Sequence, residues 1–108
     1  MLSRTADHLY WMARYMERAE NTARMLNVSY ETSLLPQSAD VAEAGWRGQL
    51  SISELTWGFS QKYQAVSARN VMDFMVRDET NPSSIVCCLR AARENARAVR
   101  GALTTEVW

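Results

Sequence analysis

From Ser3 to about Leu34 apolar side chains recur at alternating steps of three and four: Leu9, Met12, Met16, Ala19, Ala23, Leu26 and Tyr30. Few helices of globular proteins sustain such a seam for so long, and this one predicts a first helix of ~45 Å at ~1.5 Å per residue. One flank of the seam carries Tyr10, Glu17, Glu20, Arg24 and Glu31. The other carries His8, Trp11, Tyr15, Arg18, Thr22 and Met25. Both sets are too large or too polar to be idle surface, so the helix is expected to be contacted on more than one side. Ser3 is placed to cap it, and the residue before Pro36 must leave the α region.

The rest of the chain reads as shorter helices and a second long one. Val41 to about Gln49 is a weak helix, diluted by Gly45 and Gly48 and anchored by Trp46 and Leu50. Ser51 followed by Glu54 resembles a capping box for a third helix reaching about Gln64, with Leu55, Phe59 and Tyr63 one turn apart. Ser67 can cap a fourth helix that turns Val71, Phe74 and Met75 inward, with Met72 as a further candidate, unless the third and fourth form one bent helix. Asn81-Pro82 suits the N-cap and first position of the last helix. Its apolar stripe is Ile85, Cys88 or Leu89, Ala92, Ala96, Val99 and Leu103, flanked by Arg90, Arg93, Arg97 and Arg100. Thr104-Thr105-Glu106 resembles the cap of yet another helix. With only two prolines and four glycines in 108 residues, the expected class is all-α: an antiparallel bundle of four to five helices whose first and last members are long. One domain over 1–108 is expected.

Charge narrows the function. Twelve basic residues balance twelve acidic ones, which argues against nucleic acid or an anionic membrane as partner. Eleven of the twelve basic residues are arginine, the side chain suited to fixed ion pairs or to anion recognition. Cys87 and Cys88 are adjacent and cannot bridge each other within a helix, so they read as small apolar residues in a reduced, cytoplasmic compartment. His8 is the sole histidine and cannot furnish the Glu-x-x-His pairs of a di-iron bundle. No metal or other cofactor is implied. No stretch has the length and apolarity of a membrane span.

Two segments are alike: Glu17-Arg18-Ala19-Glu20-Asn21-Thr22-Ala23-Arg24 and Arg93-Glu94-Asn95-Ala96-Arg97. Acidic residues lie beside the first seam and arginines beside the last, so Glu17 and Glu20 are expected to face Arg93 and Arg97. Three uses follow from such a network. It can fix the packing of a purely structural, self-assembling bundle. It can bind a carboxylate or phosphate. It can serve catalysis by the glutamates, which requires a cleft and a perturbed pKa.

The opening Met1-Leu2-Ser3-Arg4-Thr5-Ala6-Asp7, with Leu9-Tyr10-Trp11-Met12 and the Glu17 to Arg24 segment, resembles the start of the bacterial alpha-E domain proteins (DUF403). Asn81-Pro82-Ser83-Ser84-Ile85, Ala92 to Arg97 and the closing Glu106-Val107-Trp108 resemble its later motifs. The resemblance implies a helical domain about three times this length, of which the chain is the N-terminal part. It also implies a link to ATP-grasp ligases and transglutaminase-like proteins that make or modify a peptide. The motif positions it transfers are Glu17, Arg18, Glu20, Asn21, Arg24, Arg93, Glu94, Asn95 and Arg97, none with an assigned catalytic role. The expectation is a partner-binding module, with an enzyme component of such a system or a self-assembling bundle as the other readings.

Overall fold

In the computed structural model the long seam becomes α1, Leu2–Ser33, and the second long helix becomes α5, Ile85–Val107. Between them lie α2, Ala39–Ile52, α3, Thr56–Lys62, and α4, Ala68–Val76. The structure describes residues 2–107, and side chains from 2 to 101; no strand occurs among them. The architecture is therefore all-α with five helices, and α1 packs along α5. The pair is antiparallel, because His8 near the start of α1 meets Asn95 well along α5, at 2.9 Å.

The buried line on α1 departs from the expected seam at four of that seam's seven positions. Thr5, His8, Met12, Tyr15, Ala19, Thr22, Leu26, Ser29 and Ser33 are buried or half-buried, at steps of three and four. Met12, Ala19 and Leu26 are shared with the expected seam. Leu9, Met16, Ala23 and Tyr30 are exposed instead. Both lines have the same period, so periodicity cannot choose between them. On α5 the stripe runs through Cys88 and not Leu89, which stays exposed.

The main core sits at one end. Leu26 on the C-terminal half of α1 meets Trp46 and Leu50 of α2, Phe59 of α3, and Val71, Phe74 and Met75 of α4. Phe59 meets Phe74 edge to face at 5.5 Å and Tyr63 in a stack at 4.9 Å. Beyond this cluster the two long helices project as a hairpin, and the molecule measures 62 × 27 × 17 Å. Its radius of gyration is 17.5 Å, against about 13 Å for a compact chain of this length.

Several helix ends fall elsewhere than expected. Leu2 is already helical, so Ser3 lies inside the first turn of α1. α2 is longer than expected, capped by Ser38, whose hydroxyl accepts from the Val41 N–H at 3.2 Å. Ser51 and Glu54 do not form a capping box. Ser51 belongs to the last turn of α2, and Glu54 takes φ 58°. The Leu55 N–H reaches Leu50 O at 2.8 Å and the Glu54 N–H reaches Ser51 O at 3.0 Å, which is a Schellman turn. α3 and α4 are separate helices, divided by an extended Tyr63, and Ser67 caps α4 as expected.

Asn81 is not the cap of α5. Its side-chain N–H donates to Phe74 O at 3.0 Å and its Oδ1 accepts from the Ser83 N–H at 3.0 Å, so it brackets the turn after α4. Ser84 caps α5 three residues later, accepting from the Cys87 N–H at 3.3 Å. α5 then continues through Thr104–Glu106, where a new cap was expected. The side chain of Leu103, and Trp108, lie outside the described residues.

A cleft around Arg18 as candidate functional site

The bracketed turns bring three segments to one side of α1. Arg18, Asn21 and Thr22 come from α1, Ser53 and Leu55 from the Schellman turn, Met75 from α4, and Ser83 from the turn held by Asn81. Together they line a shallow cleft of about 220 Å³. Leu55 and Met75 supply apolar lining. Thr22, Ser53 and Ser83 supply hydroxyls and Asn21 an amide.

Arg18 is the charged member. Its guanidinium carbon lies 5.6 Å from the centre of the Tyr15 ring, one turn back, which orients it by a cation–π contact. It has no ion pair among the described residues, and no carboxylate lines the cleft. Its charge is felt at Cys88 in the first turn of α5. Burial pushes that thiol above its ordinary value, and Arg18 partly offsets the rise. The start of α5 carries no acidic side chain. A fixed cation, a helix N-terminus and hydroxyl donors on one side of a molecule make a surface suited to a carboxylate or phosphate.

The expected interhelical ion network does not form. Glu20 pairs with Arg24 on its own helix at 2.8 Å, and Glu94 with Arg97 at 3.5 Å. Glu17 and Arg93 have no ion pair among the described residues. The cause is register. With His8 opposite Asn95, Arg93 lies level with Tyr10 and Arg97 level with Ala6. Glu17 is thus about 10 Å from Arg93 along the axis.

Asn95 serves packing. Its side-chain N–H donates to Ala91 O at 2.8 Å, so its Oδ1 is the acceptor that faces His8. His8 therefore donates from Nδ1, and its role is to clamp the seam. Of the nine motif residues, only Arg18 and Asn21 reach the cleft. Ser83 lies in the Asn81-Pro82-Ser83-Ser84-Ile85 motif, whereas nothing in the sequence marked Ser53, Leu55 or Met75.

Other concavities are a hollow of about 130 Å³ between α1 and α2, beside Val28, Val41 and Trp46, and an open groove along α4 near Arg69 and Arg77. Among the described residues no group of His, Cys, Asp or Glu could hold a metal, and no helix is long and apolar enough to cross a membrane.

The family named Alpha-E, described as a predicted alpha-helical domain with a conserved ER motif, matches residues 1–108. Glu17-Arg18 is the only Glu-Arg pair in the chain. Uncharacterised proteins of Mycobacterium bovis and of two Mycobacterium tuberculosis strains are 30% identical to it over 118 aligned positions. The alignment covers 97% of this chain but only 13% of each relative. No solved structure matches.

Proposed function

The chain belongs to the Alpha-E family, and from that premise we propose that it is a helical partner-binding module whose Arg18 cleft receives an acidic group of the partner. The observation that carries this reading is the division of the family's Glu-Arg pair. Arg18 enters a cleft with hydroxyl donors and no carboxylate, while Glu17 is exposed and outside that lining. An unneutralised guanidinium held over an aromatic ring binds a carboxylate or phosphate without needing to transfer a proton. The partner class comes from the resemblance alone: an ATP-grasp ligase or transglutaminase-like protein of a peptide-making or peptide-modifying system.

The test is recovery from the native host with tagged wild type and Arg18→Ala, the fold of each checked by circular dichroism. Recovery of an ATP-grasp or transglutaminase-like protein by wild type, and its loss with folded Arg18→Ala, is the expected result. Equal recovery by both would remove the cleft from the reading; recovery of no partner would remove the module. The enzyme reading puts Glu17 or Glu94 to work as acid or base, yet both are exposed and neither lines the cleft. Turnover abolished by Glu17→Gln in a folded protein would restore it.

A further inference from the structure

The Arg18 cleft has two kinds of wall, and together they constrain its ligand more than the charge does alone. Leu55 and Met75 are apolar, and Arg18 is a cation with no carboxylate in the lining. At about 220 Å³ the cleft falls below the ~300–1,000 Å³ of a site for a drug-sized molecule. It admits the end of a ligand and not a whole cofactor. The side chains of Asn21, Thr22, Ser53 and Ser83 make no hydrogen bond among the described residues, which leaves their donors and acceptors to a ligand or to water.

We infer that the acidic group this cleft takes is the C-terminal carboxylate of a peptide whose last side chain is apolar. The inference rests on the reading of Arg18 as the receptor of an acidic group and specifies that group. Charge gives the first restriction. Arg18 is the only charged side chain of the lining, so it matches a single negative charge. A phosphomonoester carries about −1.5 to −2 and would leave about half a charge or more unpaired. A carboxylate is matched in full, and one guanidinium can donate to both of its oxygens.

The apolar wall separates one kind of carboxylate from another. An Asp or Glu inside a peptide uses its side chain for the carboxylate, and in an extended segment its neighbours point to the opposite side. Nothing apolar would enter the cleft with it. An α-carboxylate shares its Cα with a side chain, so the last residue of a peptide brings a charge and an apolar group into one small space. The peptide group just before that residue needs an acceptor for its N–H and a donor for its C=O, and the Asn21 amide offers both. A free amino acid has the same carboxylate and side chain but adds an α-ammonium, for which the lining holds no carboxylate. Glu17, beside Arg18 in sequence, is exposed outside the cleft.

Titration of the chain with acetylated dipeptides, followed by heteronuclear NMR, tests this. The probes are N-acetylglycyl-leucine, its C-terminal amide, N-acetylglycyl-serine, the α-amide of N-acetylglycyl-aspartate, free leucine and inorganic phosphate. N-acetylglycyl-leucine is expected to bind with a Kd of about 1 mM and to shift the backbone signals of Asn21, Ser53 and Ser83. Its amide, the aspartate α-amide and free leucine are each expected to bind at least about 10-fold more weakly. The serine peptide is expected to bind about 5- to 10-fold more weakly, for want of the apolar contact. Arg18→Ala, with circular dichroism unchanged, should lower the affinity of N-acetylglycyl-leucine at least about 10-fold. Arg18→Lys, which keeps the charge and loses the fork, should lower it about three-fold. Arg18-dependent binding of the aspartate α-amide as tight as that of N-acetylglycyl-leucine would overturn the inference and leave Arg18 as the receptor of an acidic side chain. Equal binding of the serine peptide or of free leucine, or tighter binding of phosphate, would overturn it as well. Shifts absent with every probe, or unaffected by Arg18→Ala, would remove both the inference and the reading it rests on.

Discussion

Asp78 is the buried charge on which the turn between α4 and α5 depends, and its removal is the sharpest test of the fold. Its side chain is fully buried. Oδ1 accepts from the Thr80 N–H at 2.8 Å and from the Thr80 hydroxyl at 2.6 Å. Oδ2 has no well-aligned hydrogen-bond donor and relies on Lys62 Nζ, 2.9 Å away. Lys62 is half exposed and ends α3, so the carboxylate ties α3 to the turn that leads into α5. Asp78→Ala removes a charge-assisted contact and two further hydrogen bonds, while Lys62 returns to water. At ~1–3 kcal/mol for each lost interaction, with partial relaxation, the expected cost is about 2–4 kcal/mol. For a domain of this size that lowers the melting temperature by about 10–20 °C. Lys62→Ala leaves Oδ2 buried without a countercharge and should cost about 2–3 kcal/mol. Urea unfolding of both single variants and the double variant measures the coupling. Burial raises the Asp78 pKa, but Thr80 and Lys62 outweigh it, and the net direction is downward. The stabilisation is therefore complete above the ordinary carboxylate value of about 3.9 and fades as pH falls through the lower folded value. The gap between wild type and Asp78→Asn should narrow over that acid range. A cost below about 1 kcal/mol for Asp78→Ala, or strict additivity with Lys62→Ala, would refute the reasoning.

Glu54 holds a left-handed conformation at φ 58°, so Glu54→Gly should raise stability by about 0.5–1 kcal/mol in thermal unfolding, an unusual gain for glycine. Leu26→Ala should cost about 2.5–4 kcal/mol by denaturant titration, because the side chain is buried among Trp46, Leu50 and Phe74. The Tyr63 phenol, raised to about 12 by burial and by donation to Asp73, should titrate there in ultraviolet absorbance. Its contribution is intact below about pH 10, the unfolded value, and disappears as pH rises toward the folded one; Tyr63→Phe should remove that alkaline dependence.

The helical class, the two long helices and the aromatic core around Phe59 and Phe74 were legible because they rest on local rules: period, capping and the scarcity of breakers. Two misplacements have one physical cause. Asn81-Pro82 satisfies the rules for a helix start, but Asn81 also has a carbonyl to reach across the turn, Phe74 O, and that contact is not local. Ser51 and Glu54 satisfy the rules for a capping box, but Leu50 and Leu55 are both drawn into the core, and closing the Schellman turn between them uses Glu54 as its left-handed residue. In each case a tertiary contact chose between two locally acceptable turns.

The candidate site was legible only in part, for a related reason. Helical spacing placed Glu17 and Arg18 together but could not say that one residue's rotation sends Arg18 to a cleft and leaves Glu17 outside it. The expected pairing of acidic and basic flanks treated the two long helices as if their register were free. The His8–Asn95 contact fixes it, and at that register the flanks miss each other by more than a turn.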